Sequence, residues 1–214
     1  MESFPATEQT FLLSSPVGQL EVLATPAPEE NSFPGTAIIC HPHPLFGGTM
    51  TNKVVTTLAR AFKDLGLKTV RFNFRGIGKS TGAFDEGYGE TDDLLTVVKW
   101  VKQVCPDDKL WFAGFSFGGF VATNAATKIK PDGLVTVAPQ VSRFSNLITL
   151  DCPWIVIQGE ADETVSPDEV YMWIEGVDPK PELIRIPSAS HFFHGQLLEL
   201  RTQLVTALSK YINA

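Results

Sequence analysis

The chain has 214 residues, 43% of them apolar and 19% charged, with a formal net charge of −7. A chain of this length buries roughly 70% of its unfolded surface, so it suits a single α/β domain over 1–214 that folds without a metal or a disulfide. The negative charge argues against nucleic acid and anionic membrane as partners, and three cysteines (Cys40, Cys105, Cys152) without C-x-x-C spacing read as reduced thiols in a cytoplasmic setting.

Residues 1–10 lack the basic and apolar regions of a signal peptide, and no apolar run approaches the ~18 residues of a membrane span. Stretches 11–15 and 19–25 flank Pro16-Val17-Gly18 and read as a β-hairpin. After a proline-rich loop, 36–40 is a short apolar strand that runs into the loop His41-Pro42-His43-Pro44-Leu45-Phe46-Gly47-Gly48-Thr49. The periodicity predicts a helix over 52–65 capped by Gly66, then a strand over 68–74. Glycine-rich 75–89 follows, with Arg75 placed to tie the loop to backbone carbonyls. Thr91 reads as the N-cap of a helix to Val104, with Asp92 and Asp93 in its first turn.

The second half alternates again. Strand 109–113 leads into Gly114-Phe115-Ser116-Phe117-Gly118-Gly119, and a helix over 120–128 follows. Strands are expected over 133–138, 154–158 and 182–187, and helices over 167–176 and 193–212, the first opened by Ser166-Pro167. This order predicts an eight-stranded, mostly parallel sheet with helices on both faces and an antiparallel hairpin at its start. Ligands of such sheets bind beyond the carboxyl ends of the strands. The connection 139–153 is too short for a lid domain.

The G-x-S-x-G run sits between a strand and a helix, the setting of a nucleophile elbow. The turn strains the serine backbone, so side chains two residues to either side would collide, and the helix N-terminus faces the hydroxyl. A serine hydroxyl needs a base within reach, and the base needs an orienting partner. Gln158-Gly159-Glu160-Ala161-Asp162-Glu163-Thr164-Val165 follows one strand and offers carboxylates, with Glu160, Asp162 and Asp168 as candidates. Ser188-Ala189-Ser190-His191-Phe192-Phe193-His194 follows the last strand and offers His191 and His194, the latter placed in the first turn of the last helix.

The order Ser, Asp, His, with these three motifs, resembles the α/β-hydrolase superfamily, in particular its small lidless members related to dienelactone hydrolase. The G-E-A-D-E-T-V segment resembles the acid loop, S-A-S-H the histidine loop, and H-P-H-P-L-F-G-G-T-M the oxyanion loop of a group of bacterial hydrolases. The resemblance covers nearly the whole chain. It implies Ser116 as nucleophile, Asp162 as acid and His191 as base, in a serine hydrolase that cleaves a small ester or similar activated acyl compound with no cofactor, a thioesterase or acyl-peptidase with the same triad being the alternative. The oxyanion hole would take the backbone N–H of Phe117 and a second from the loop after His41, where Pro42 and Pro44 have none to give. Analogy with the dienelactone-type loop favours Leu45, with His43 second. His41-x-His43 supplies too few ligands for a metal.

Three other readings are weaker. Gly78-Lys79-Ser80 resembles the end of a phosphate-binding loop, but Asn73 stands where that loop needs its first glycine. A non-catalytic module on a hydrolase fold would usually have lost one of the three residues. Cys40 ends a buried strand and reads as a core thiol. Gln140, Phe144, Leu147 and Phe193 are candidate pocket liners.

Overall fold

The computed structural model describes residues 3–144 and 148–212. Its strands are β1 (Gln9–Ser15), β2 (Gly18–Thr25), β3 (Gly35–Cys40), β4 (Lys68–Phe72), β5 (Lys109–Phe115), β6 (Gly133–Val137), β7 (Trp154–Gly159) and β8 (Glu182–Ile186). The helices are α1 (Lys53–Asp64), α2 (Tyr88–Val104), α3 (Phe117–Lys128), α4 (Pro167–Glu175) and α5 (Leu197–Ile212). The strands form one sheet in the order β1-β2-β4-β3-β5-β6-β7-β8. β2 pairs antiparallel with β1 and β4, and all other pairs are parallel. This is the expected mostly parallel sheet with an N-terminal hairpin.

The central strands are buried on both faces, and their side chains part with period two. Ile38, Cys40, Phe112, Leu134 and Val156 join one core, with α2, α3 and α4. Ala37, Ile39, Trp111, Ala113, Val135 and Ile157 join the other, with α1 and α5. Residues 138–153 link β6 to β7, and their described part holds only a short 3-10 turn, Val141–Arg143. Leu147 lies outside the described residues. No helix among the described residues is long and apolar enough to cross a membrane.

Local details depart from expectation in three places. Helix α2 starts at Tyr88, ahead of Thr91, whose hydroxyl donates to the Gly87 carbonyl from inside the helix. The buried Glu90 carboxylate caps this start, accepting the Asp85 and Gly87 amides at 3.0 and 2.8 Å. Among the described residues Arg75 reaches no backbone carbonyl; its guanidinium grips the Asp93 carboxylate, with Nη2 2.9 Å from Oδ1. Helix α5 starts at Leu197, because Phe193 and Gly195 hold positive φ values of 53° and 74° that no right-handed helix admits. His194 therefore stands in the turn before the helix.

Gly78-Lys79-Ser80 is a knot between strands. The Ser80 hydroxyl donates to the Asn73 carbonyl at 2.7 Å and accepts the Glu21 amide at 2.9 Å.

Candidate active site

Parallel register brings the strand ends together. Cys40 lies beside Gly114, Phe115 beside Val137, and Gly159 beside Ile186. The segments after β3, β5, β7 and β8 therefore leave the sheet at one rim.

Ser116 holds φ 56° and ψ −119°, a sparsely populated conformation for a residue with a Cβ. Two bonds hold it there: its amide donates to the Val137 carbonyl at 2.8 Å, and its carbonyl accepts the Gly119 amide at 2.9 Å. A Cβ at Gly114 would run into the Gly118 backbone, and one at Gly118 into the carbonyl oxygens of Cys40 and His41. The glycines thus let α3 descend directly onto the ends of β5 and β3.

The acid and histidine loops are laced together. The Glu160 amide donates to the Ile186 carbonyl and the Ala161 amide to that of Ala189, both at 3.0 Å. The His191 amide donates to the Glu163 carboxylate at 3.1 Å. Asp162 Oδ1 accepts the Thr164 and Val165 amides at 2.8 Å each. Its Oδ2 lies 2.8 Å from His191 Nδ1, and His191 Nε2 lies 3.2 Å from Ser116 Oγ. Ser116, Asp162 and His191 are all buried. A carboxylate, an imidazole and a hydroxyl thus stand in one hydrogen-bonded line. Burial pushes the Asp162 carboxyl up, but the His191 hydrogen bond, the Val165 amide, the imidazole charge and the Thr164 amide together hold it below its ordinary value.

A cavity of about 320 Å³ opens over the hydroxyl, lined by Pro42, His43, Gly48, Gln140, Thr164 and Phe192 among others. The two carboxylates that competed with Asp162 for the imidazole are exposed: it is Asp162, and neither Glu160 nor Asp168, that bonds to His191 Nδ1.

Residues 38–148 match the family model described as serine aminopeptidase, S33. The chain belongs to that family of α/β hydrolases. A solved structure of an α/β serine hydrolase without a lid, from Xanthomonas campestris, is 45% identical to it, covers 99% of this chain and 98% of its own, and superposes with a TM-score of 0.95. An α/β serine hydrolase homologue from Coxiella burnetii is 48% identical over 96% of this chain and 100% of its own, with a TM-score of 0.93. An uncharacterized Rickettsia prowazekii protein is 31% identical over 92% of this chain and 89% of its own length.

In the hydrolase, the loop after β3 is held by its histidines. His41 is fully buried; its Nδ1 donates to the Pro42 carbonyl at 2.7 Å and its Nε2 accepts the Phe74 amide at 3.0 Å. Accepting the Phe74 amide requires the neutral ring, and burial lowers its pKa to about 4 against the pull of the Pro42 carbonyl. His43 sits among Phe46, Phe84 and Phe117. Burial and the Arg143 charge lower its pKa, partly offset by Glu86 and Glu90. Leu45 lies in the 3-10 turn Pro44–Phe46, is 65% exposed and stands apart from the cavity wall, whereas His43 lines it. Among the described residues, the backbone amides of His43 and Phe117 donate to no hydrogen bond.

Of the other expected liners, Gln140 lines the cavity, while Phe193 is fully buried in the core and Phe144 packs between Phe120 and Trp173. His194 is exposed and borders a neighbouring hollow with Asn52 and Lys53. Cys40 is wholly buried, and burial pushes its thiol well up. No group of three or more His, Cys, Asp and Glu among the described residues is arranged to hold a metal ion.

Two neighbours of the site escaped the sequence reading. Arg143 donates to Gln140 Oε1 at 3.0 Å, lies 3.4 Å from His43 Nε2 and covers the Phe117 ring at 5.2 Å. Gln158 bonds to Asp162. The only signal for Gln158 was a polar residue ending the apolar run Trp154-Ile155-Val156-Ile157. For Arg143, on an irregular segment, there was none.

Proposed function

We propose that this hydrolase cleaves a small, uncharged ester or comparably activated acyl compound through an acyl-enzyme on Ser116. The observation that carries the reading is the Asp162–His191–Ser116 line, closed at 2.8 and 3.2 Å. Ser116 Oγ attacks the carbonyl carbon while His191 Nε2 takes its proton. Asp162 keeps the other imidazole proton on Nδ1, so Nε2 is free to accept. The imidazolium then protonates the leaving alkoxide, and the alcohol departs. Water repeats the sequence on the acyl-enzyme and releases the acid.

The amides of Phe117 and His43 would hold the oxyanion. His43 is preferred to Leu45 because it lines the cavity beside Ser116 and Leu45 does not. Arg143 and the aromatic rings around the imidazole brace that residue. No Lys, Arg, Asp or Glu lines the cavity among the described residues, which supports an uncharged substrate. An aminopeptidase, as the family is described, would need a carboxylate there to hold the substrate's ammonium group, so the lining favours esters and thioesters over peptides. The expected cytoplasmic setting, and the absence of nucleic acid and membrane partners, remain part of this reading.

The experiment is a panel of acyl esters, thioesters and amides, with Ser116→Ala as the blank. Short neutral esters should turn over, and the variant should lose about 10⁴-fold or more in kcat. Undiminished hydrolysis by Ser116→Ala would sink the assignment.

A further inference from the structure

Gln158 is fully buried at the carboxyl end of β7. Its Nε2 donates to Asp162 Oδ2 at 3.1 Å, the oxygen that also faces His191 Nδ1. The carbonyls of Gly159 and Val165 lie 3.3 Å from the same nitrogen. Turning the amide over would set an oxygen against three oxygens, so the donor end must face the acid. The other end is left over: Oε1 is buried and has no partner among the described residues. A buried acceptor left without a partner is destabilising. An apolar side chain would avoid that cost.

We propose that Gln158 is a positioning residue that tunes the base through the acid. With it, Asp162 receives four hydrogen bonds: Thr164 and Val165 on Oδ1, Gln158 and His191 on Oδ2. The two backbone bonds hold one oxygen. The Gln158 bond locks the second, fixing the direction from which His191 Nδ1 is held. It also draws negative charge off the carboxylate. The acid then holds the imidazolium less tightly.

This inference rests on the proposed serine chemistry, and the test separates the two. A fluorophosphonate reacts with an activated serine whatever the natural substrate, its fluoride leaving as Oγ bonds to phosphorus. The rate of labelling is followed from pH 5 to 8 in the wild type, Gln158→Met and Gln158→Glu, with Ser116→Ala as blank and Tm measured for each. Gln158→Met keeps the length and removes the donor. It should label about tenfold more slowly. Its acid limb should move to higher pH. Gln158→Glu keeps the shape and sets a second carboxylate against the first, so both effects should be larger. A merely space-filling side chain would change Tm and leave the pH profile in place. A folded variant of either kind that labels at the wild-type rate with an unmoved limb overturns the inference alone. A wild type that labels no faster than the blank overturns the serine chemistry and the inference with it.

Discussion

The two loops that meet over Ser116 are held in place by different means. The elbow after β5 is defined by backbone: Gly114 and Gly118 leave no room for a Cβ, and two main-chain bonds hold the strained serine. The loop after β3 is defined by side chains: His41 bonds to Pro42 and Phe74, and His43 packs among aromatic rings under Arg143. Backbone collisions have no pKa, whereas imidazole bonds do. The elbow should be indifferent to pH and intolerant of added atoms. The β3 loop should tolerate small packing changes and fail in acid.

The largest effect should come from attacking the elbow sterically. Gly118→Ala sets a methyl group against the Cys40 and His41 carbonyls, where neither backbone can yield. It should cost at least about 2 kcal/mol and lower Tm by about 4–8 °C. Because it pushes the β3 loop off the elbow, activity should fall even well below Tm. Thermal melts and ester kinetics check both, and a Gly118→Ala protein with wild-type Tm would refute the steric account.

Acid should strike the other loop. Folding lowers the His41 pKa from 6.5 to about 4, so the unfolded chain binds this proton more tightly than the folded one. Stability is therefore greatest above about pH 6.5, falls as pH drops, and has lost about 3 kcal/mol from this group below about pH 4. Asp162 adds a second loss at lower pH: its carboxyl is held down in the folded state, so its contribution vanishes as pH falls through that depressed pKa. Urea unfolding between pH 7 and 4 measures the slope. His41→Asn should be less stable at pH 7 and lose most of the slope across that window, the depressed pKa of His43 leaving a smaller remainder; an unchanged slope would show that His41 is not its source.

The smallest effect should come from loosening the β3 loop at its rim. Arg143→Met removes the donor to Gln140 and the cation over the Phe117 ring, while leaving the elbow backbone untouched. Such contacts are worth about 1 kcal/mol, so kcat/KM on a short ester should fall about fivefold with little change in Tm. A loss as large as that of Gly118→Ala would mean that the two loops are not separately held.

The chain itself determined the architecture and the three residues that meet in the hydrogen-bonded line. Short apolar runs bounded by turn residues fit strands buried on both faces, and alternation with helices favours parallel pairing. That topology brings residues 116, 162 and 191 to one rim although they lie far apart in sequence. G-x-S-x-G was readable because glycine requirements are local backbone facts. The same locality misled elsewhere. Thr91 looked like a cap because Glu90, which caps α2 from inside it, hides in a glycine-rich stretch of poor helix formers. His194 looked helical because nothing in the composition announces positive φ at Phe193. Only the tertiary structure decided what fills the second layer. Whether Arg75 meets a carbonyl or Asp93, which loop amide faces the cavity, and what reaches the far side of Asp162 depend on side chains from separate elements converging. Gln158 and Arg143 carry no local pattern. Their roles come from partners that sequence distance conceals, and that only packing brings within hydrogen-bond range.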